Sequence, residues 1–345
     1  MEQTLTSTQR DVPPSTTLPP PTTLPPPTTH PPPTTHPPTT THPPTTRYRV
    51  HDVPVDGGAL RVGEWGPDDP AAPTVLAVHG ITASHLAWAP IARACPTARV
   101  IAPDLRGRGR SAGLPGPYGM ARHAADLLAV IESLDLPPAL LVGHSMGAFV
   151  AVVAAQRYPG RFSEVLLVDG GLPLAIPAGI SKEDLLAVTL GPAAARLSMT
   201  FPDVAAYLEF WKQHPAFAGA QSNQDVAEYA GYDLTGTEPE LRPSASLEAV
   251  RQDSMDLYGG GVLLAALAEL AAPDGLGRPV TLLTAPRGLM NETPGLYSPR
   301  EIRRWKTELP SVAIREVPDV NHYTIVMGEA GAGAVAREMR RHRPR

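Results

Sequence analysis

The sequence predicts an α/β fold in which a mostly parallel β-sheet is covered by helices on both faces. From residue 47 onward, short unbroken apolar runs alternate with longer segments of helical spacing. Strands without polar alternation are buried on both faces, which is typical of a parallel sheet between two helix layers. A block without clear strands, residues 172–272, interrupts the alternation and predicts a helical insertion between two sheet strands.

The predicted strands begin with a hairpin and continue as buried-type segments. YRVHDV and ALRVGEW, within residues 48–65, predict the two paired strands. The later segments are short and apolar, and they are TVLAVHG (74–80), ARVIAPD (98–104), ALLVGHS (139–145), EVLLVDGG (164–171), PVTLLTAP (279–286) and VAIREVP (312–318).

Helices are predicted between these strands from the spacing of apolar residues and from helix-ending residues. Residues 147–160 predict a helix that proline and glycine end, and residues 298–309 predict an amphipathic helix. Residues 332–342 predict the last helix. Residues 119–136 predict a helix whose apolar spacing rests on Ala125, Leu128, Ala129, Ile131 and Leu134.

The helical block predicts a cap over the sheet. Its helical segments are KEDLLAVTL (182–190), DVAAYLEFWKQH (203–214) and GVLLAALAEL (261–270). An insertion at the carboxyl edge of a parallel sheet lies over the ligand site of such folds. The predicted division is a tail (1–46), a core (47–171 and 273–345) and a helical cap (172–272).

Residues 1–46 differ in composition from the rest of the chain. From Pro19 a six-residue unit of prolines and threonines repeats without apolar periodicity. Such a segment cannot bury a core, which predicts a disordered tail rich in polyproline II. His30, His36 and His42 recur in this repeat, but about 18 Å separates successive histidines at ~3.1 Å per residue, too far to share a metal ion.

Charge and cysteine content exclude several classes of protein. The net charge is −5 and no long basic run precedes the C-terminus, which argues against a nucleic-acid partner. Cys95 is the one cysteine, which excludes an intramolecular disulfide and is predicted to be a small buried residue. No apolar run reaches the ~18 residues that span a bilayer, and a signal peptide is not recognised. We therefore expect a cytoplasmic protein, and the lack of metal-ligand spacing predicts no metal and no cofactor.

The segment LLVGHSMGAFVAV (140–152) points to chemistry. It places Ser145 in a Gly-x-Ser-x-Gly turn that follows a predicted strand and precedes a predicted helix. This is the context of a nucleophile elbow, in which a strained turn exposes one hydroxyl. Gly143 and Gly147 leave room for the tight turn, and the free N–H groups of the following helix favour an oxyanion.

Three further motifs accompany this turn. They are VLAVHGITAS (75–84), PDLRGRGRS (103–111) and VPDVNHYTI (317–325). Together with GHSMG they resemble the α/β-hydrolase family over nearly all of residues 47–345, including the order of serine before histidine. The resemblance implies a hydrolase fold with a helical cap over residues 172–272.

The resemblance implies that His322 is the general base, and it leaves the acid open. A serine hydroxyl is inert near neutral pH without a base in hydrogen-bond reach. The usual acid position falls near Gly288, where no aspartate is present. Two substitutes are available, and we favour Asp169, at the end of EVLLVDGG, over Glu292, in the loop after PVTLLTA.

The resemblance also implies an oxyanion hole and a substrate wall. The backbone N–H groups of Ile81 and Met146 are expected to hold the oxyanion. Trp88, Phe210 and Trp211 are candidates for the wall of the acyl pocket.

These residues predict a serine hydrolase that cleaves a small or medium carboxylic ester through an acyl-enzyme. A serine nucleophile argues against the dehalogenase and epoxide-opening branches, which need a carboxylate. Hydrolysis of a carbon–carbon bond, a lactone or an amide, or perhydrolase activity, would use the same site and stays open. Two other classes stay open: a degraded, ligand-binding hydrolase fold, and a tail that binds aromatic-groove modules.

Overall fold

The computed structural model covers most of the chain from residue 47 onward. The residues that the structure describes are 47–176, 179, 191, 193, 195–218, 224–272 and 274–341. The predicted tail (1–46) and the predicted helix over 182–190 lie outside these residues.

An eight-stranded sheet forms the centre of the fold, and a separate two-stranded ribbon lies in the segment that precedes β9. The described strands are β1 (Tyr48–Val55), β2 (Gly58–Trp65), β3 (Thr74–Val78), β4 (Arg99–Pro103), β5 (Ala139–His144), β6 (Phe162–Val168), β7 (Leu234–Thr235), β8 (Arg242–Pro243), β9 (Val280–Thr284) and β10 (Val312–Glu316). The large sheet has the order β1-β2-β4-β3-β5-β6-β9-β10. Strand β2 pairs antiparallel with β1 and β4, and all later pairs are parallel. The predicted hairpin and the mostly parallel sheet are therefore both present.

Helices cover both faces of this sheet. The described α-helices are α1 (Ala89–Ala94), α2 (Met120–Ser133), α3 (Met146–Arg157), α4 (Val204–Lys212), α5 (Gln224–Asp233), α6 (Leu247–Asp256), α7 (Gly261–Leu270), α8 (Pro299–Glu308), α9 (Thr324–Met327) and α10 (Glu329–Arg341). Along β3, Leu76 and Val78 join the apolar core that includes α2 and α3. Val75 and Ala77 join the core that includes α1 and α10. Because successive strand side chains point to opposite faces, this alternation places the sheet between two helix layers.

Helix α2 lies where the spacing predicts it, but most of the apolar residues on which that spacing rests are only half-buried. Of those five residues, only Ile131 is buried. The buried residues of α2 are Met120, His123, Ala124, Asp126, Leu127, Val130 and Ile131. Two of them are polar, and each has a buried partner: His123 contacts Asp253 at 3.0 Å, and Asp126 accepts from Arg106 at 2.9 Å. Polar residues can be buried when they are paired, and a count of apolar spacing does not identify them.

The described residues between β6 and β9 are mainly helical, and their assignment to a cap stays a prediction. Helices α4 and α7 fall on two of the predicted segments, whereas α5 and α6 were not predicted. Ser246 caps the N-terminus of helix α6, and its hydroxyl accepts from the amide of Ala249 at 3.3 Å. The β7–β8 ribbon also lies here, in a segment for which no clear strand was predicted.

Cys95 is buried, as predicted. It is 3% exposed and packs in the core that includes α1. None of the helices in the described part of the chain has the length and apolar character needed to cross a bilayer.

Candidate active site

Ser145 lies in a strained turn between β5 and α3. Its φ is 54° and its ψ is −125°, a conformation that residues other than glycine rarely adopt. Its amide donates to the carbonyl of Val168 at 3.0 Å, and its carbonyl accepts from the amide of Ala148 at 2.9 Å. These two hydrogen bonds fix the turn between β6 and the start of α3. Backbone strain of this kind persists only where the surrounding structure holds it, and it occurs often at active sites.

The glycines around Ser145 are required by close backbone approach. A β-carbon on Gly147 would lie 2.1 Å from the carbonyl oxygen of Val78. One on Gly143 would lie 2.2 Å from the carbonyl oxygen of Gly147, and one on Gly170 would lie 2.3 Å from that of Ser145. The atoms would overlap, so the turn needs glycine at these positions for space.

We predict that Gly147→Ala lowers the free energy of unfolding by at least about 2 kcal/mol, because the added methyl collides with backbone that cannot move. Urea denaturation followed by circular dichroism measures this change. Gly113→Ala is the matched control, since its β-carbon would meet nothing within 4 Å. A change within about 0.5 kcal/mol is expected for the control. Equal stability of the two variants would contradict the steric argument.

His322 and Asp169 come together from distant parts of the chain. The Nδ1–H of His322 donates to Oδ2 of Asp169 at 2.7 Å, and both side chains are buried. The other carboxylate oxygen of Asp169 accepts from the amide of Ala285 at 3.0 Å, which fixes the carboxylate between β6 and β9. A carboxylate can only accept here, so the proton of a neutral His322 is on Nδ1 and Nε2 is free to accept a proton.

Glu292, the other predicted acid, is placed differently. It is exposed, and its Oε2 accepts from the amide of Met290 at 2.7 Å within its own loop. Its carbonyl oxygen also accepts from the amide of Gly288 at 2.8 Å. In the described residues no hydrogen bond joins Glu292 to His322. The geometry therefore favours Asp169 as the partner of the histidine.

Ser145 and His322 line one cavity at the carboxyl edge of the sheet. The open space within it, including a part that is continuous with solvent, is about 470 Å³. The other lining residues are mostly apolar or hydroxyl-bearing, and they are Gly80, Ile81, Thr82, Ala83, Ala87, His144, Ala193, Tyr229, Leu289, Tyr323, Val326 and Met327. Another cavity, of about 510 Å³, lies at the opposite edge beside Thr74 and Ser163, away from the histidine.

The loop that carries Ile81 is held by two buried side chains. His79 donates from Nδ1 to the carbonyl of Gly80 at 2.7 Å and accepts at Nε2 from the amide of Leu105 at 2.9 Å. Burial lowers the pKa of His79 to about 4, which keeps the ring neutral as this bonding requires. Arg108 donates from Nε to the carbonyl of Ile81 at 2.9 Å. These contacts orient the backbone of the loop next to Ser145.

Arg108 also connects this loop to helix α6. It forms a fully buried ion pair with Asp253 of that helix. Asp253 accepts from the amide of Gly119 at 2.6 Å and contacts His123 at 3.0 Å. Burial by itself would raise the pKa of Asp253, but His123 and Arg108 lower it to about 2, so the carboxylate is charged. Sequence reasoning did not identify Asp253, because no local pattern distinguishes it from a surface residue of a polar helix.

His144, which precedes the nucleophile, has a structural role. Its Nε2–H donates to the carbonyl of His322 at 2.8 Å, and the two rings lie 4.8 Å apart. Burial lowers the pKa of His144 well below its usual value, so the ring is neutral. The elbow and the histidine loop are thereby joined directly through the side chain of His144.

Comparisons with known proteins agree with this architecture. A family profile described as "alpha/beta hydrolase fold" matches residues 73–219. Lipase LipV of Mycobacterium tuberculosis is 33% identical over 115 residues, which cover 33% of this chain and 43% of that protein. An epoxide hydrolase of Caballeronia sordidicola is 36% identical over 121 residues, which cover 34% of this chain and 36% of that protein. The chain thus matches less than half the length of these two relatives.

The similarity extends further in three dimensions. The thioesterase domain from the curacin biosynthetic pathway superimposes with a TM-score of 0.66 at 25% identity, covering 85% of this chain and 99% of that domain. The protein has the α/β-hydrolase fold. The fold class predicted from the alternation of apolar runs and helices is confirmed.

Within this α/β-hydrolase fold, the three predicted wall residues lie away from the cavity. Trp88 is 1% exposed and Trp211 is 4% exposed, and Phe210 packs at the edge of the same aromatic core. None of the three is among the described residues that line the cavity. The prediction that they form its wall is therefore wrong. Their large apolar surfaces pack in or against the core and do not line the cavity.

Other cavity residues of the α/β-hydrolase fold were not predicted as such. Tyr229 comes from α5, and Tyr323 follows His322 directly. Val326 and Met327 come from α9. The position of Tyr323 beside the histidine was the one sequence signal available. The others depend on how helices pack over the site, which the local sequence does not specify.

Proposed function

We propose that the protein is a serine hydrolase that cleaves small or medium carboxylic esters through an acyl-enzyme. The observation that carries the proposal is the hydrogen bond between His322 and Asp169, beside a cavity that His322 shares with the strained Ser145. A nucleophile, a base and a group that orients the base are the parts that this chemistry needs.

The proposed reaction begins when Oγ of Ser145 attacks the ester carbonyl carbon while Nε2 of His322 takes the hydroxyl proton. Asp169 holds the ring in the required tautomer and stabilises the imidazolium that forms. His322 then gives its proton to the departing alcohol, which leaves an acyl group on Ser145. A water molecule attacks this acyl group, again with His322 as base, and the carboxylic acid and free Ser145 are released.

The proposed oxyanion hole consists of the backbone N–H groups of Ile81 and Met146. Met146 is the first residue of α3, so its N–H has no partner within the helix. Ile81 lines the cavity, and its peptide is oriented through Arg108. Preorganised donors at such a site are worth several kcal/mol in the transition state.

Two observations favour this function over the rival classes. An acid in contact with His322 removes the reason to expect a degraded site. One relative is named an epoxide hydrolase, but that reaction needs a carboxylate nucleophile, and the elbow of this chain carries Ser145. The name of the other relative, a lipase, agrees with ester hydrolysis.

Labelling with a fluorophosphonate probe tests the proposed nucleophile. We expect the wild-type protein to be labelled on the peptide that contains Ser145, and Ser145→Ala to remain unlabelled, as measured by gel fluorescence and peptide mass spectrometry. An unlabelled wild-type protein, or label on another residue, would contradict the proposal.

A further inference from the structure

Two tyrosines give the cavity a polar wall that the proposed ester cleavage does not use. Tyr229 and Tyr323 both line the cavity that holds Ser145. Tyr229 is 5% exposed, so little of its side chain is open to bulk solvent. Tyr323 lies directly after His322, and the two rings are 5.8 Å apart.

The hydroxyl groups of both tyrosines are available to a ligand. In the part of the chain that the structure describes, neither hydroxyl makes a hydrogen bond to another residue. The fully occluded, unpaired polar atoms there include the indole nitrogens of Trp88 and Trp211, but neither tyrosine hydroxyl. Both hydroxyls therefore keep some accessible surface. A polar group so deeply placed is stabilised when a ligand satisfies it.

The two rings are held in fixed positions by aromatic packing. Trp211 contacts both of them edge-on, with ring centroids 6.2 Å from Tyr229 and 6.1 Å from Tyr323. Trp211 was predicted to line the cavity, but it instead packs against the two tyrosines that do. A rigid pair of donors loses little conformational freedom when a substrate binds, which favours selectivity.

Behind the two tyrosines, the buried positive charge of Arg196 is balanced by Asp233. The buried guanidinium of Arg196 lies 5.1 Å from the ring centroid of Trp211 and pairs with Asp233 and the hydroxyl of Tyr207. Its other terminal nitrogen donates to the carbonyl of Thr82 at 3.3 Å. Among the described cavity residues none is a lysine, arginine, aspartate or glutamate. A carboxylate in this space would meet no lysine or arginine among the described lining residues.

Both phenols are neutral donors under ordinary conditions. Burial raises the pKa of Tyr229, and the nearby Asp233 raises it further. Burial also raises the pKa of Tyr323, although Arg196 opposes the shift. A neutral phenol donates one hydrogen bond and accepts readily, and a ketone or ether oxygen is a matching acceptor.

We propose that Tyr229 and Tyr323 form a specificity subsite for acyl groups that carry an uncharged acceptor oxygen, such as a ketone or an ether. This inference rests on the proposed ester cleavage, in which the acyl group stays bonded to Ser145 inside this cavity. A simple alkyl chain of the same size would leave both hydroxyls without a partner, and such mismatches are the usual basis of strong discrimination.

Two pairs of p-nitrophenyl esters with acyl groups of equal size test the subsite. They are levulinate against isocaproate, and methoxyacetate against butyrate. For each pair, the ratio is kcat/KM of the oxygen-bearing ester divided by kcat/KM of its alkyl counterpart. We expect this ratio to fall about tenfold in Tyr229→Phe and in Tyr323→Phe, the loss expected for one hydrogen bond between neutral groups. Tyr258→Phe is the matched control, because Tyr258 packs against the other core and does not line the cavity. It should keep the wild-type ratio.

The ratio is the decisive quantity because it cancels changes in folded fraction and in the chemical step. A ratio that stays within twofold of wild type in both pairs and both variants would overturn the subsite while leaving ester cleavage in place. Failure of the wild-type protein to turn over any of the four esters would overturn both the proposed function and the subsite. Melting temperatures within a few degrees of wild type would show that the phenylalanine variants are folded.

Discussion

Ser145→Ala is expected to lower kcat for p-nitrophenyl butyrate by at least about ten-thousand-fold, because no other group can form the acyl-enzyme. In the proposed reaction the strained turn presents this hydroxyl: three nearby glycines are in close backbone contact, and the φ of Ser145 is positive. Spectrophotometric release of p-nitrophenol, corrected for spontaneous hydrolysis, measures the loss. Removal of one oxygen leaves the turn intact, so the melting temperature should change little.

Ser163→Ala is the matched control for the nucleophile. Ser163 is half-buried and lines the cavity at the opposite edge of the sheet. Its loss should leave turnover within about twofold of wild type, since surface and peripheral substitutions have small effects. Residual activity of Ser145→Ala within about a hundredfold of wild type would contradict the acyl-enzyme mechanism.

Asp169→Asn is expected to lower kcat by about a hundredfold to ten-thousandfold. An asparagine amide can donate to Nδ1 of His322, which would favour the tautomer whose Nε2 carries the proton and cannot accept one from Ser145. The change preserves the size of the side chain and its contact with Ala285, so a stability loss does not account for the effect. Steady-state kinetics across neutral pH, with circular dichroism of the folded protein, measures it.

Glu292→Gln separates the two acids that the sequence left open. Glu292 is exposed and bonded within its own loop, so its amide variant should retain activity within about twofold. A large loss in Glu292→Gln together with retained activity in Asp169→Asn would assign the acid to the later loop. It would also require that loop to move toward His322 during turnover.

The pairing of residues 153 positions apart explains why the acid was the weakest sequence prediction. Asp169 ends one strand and His322 follows another, and both belong to ordinary loop sequences. The order β6-β9-β10 in the sheet, together with the amide of Ala285, brings that carboxylate to the ring. The local sequence could identify two candidates, but choosing between them required the order of the strands.

The same reason accounts for the predictions that were wrong. Apolar spacing identified α2 but missed most of its buried residues, because these include His123 and Asp126, whose partners lie elsewhere in the chain. Size and apolarity suggested Trp88 and Trp211 as cavity walls, yet those properties drive side chains into the core. Hydroxyl-bearing Tyr229 faces the cavity because of how α5 packs, which its own helix sequence does not encode.

By itself, the sequence determined the alternation of strands and helices, the glycine-flanked turn at Ser145 and the position of His322 in a late loop. These features follow from local rules: unbroken apolar strands, glycines where backbones touch, and a polar loop after a late strand. The tertiary structure decided which acid meets His322, which face of α2 is buried and which side chains enclose the cavity. Those outcomes depend on contacts between distant segments, whose free energies are set by packing rather than by neighbouring residues.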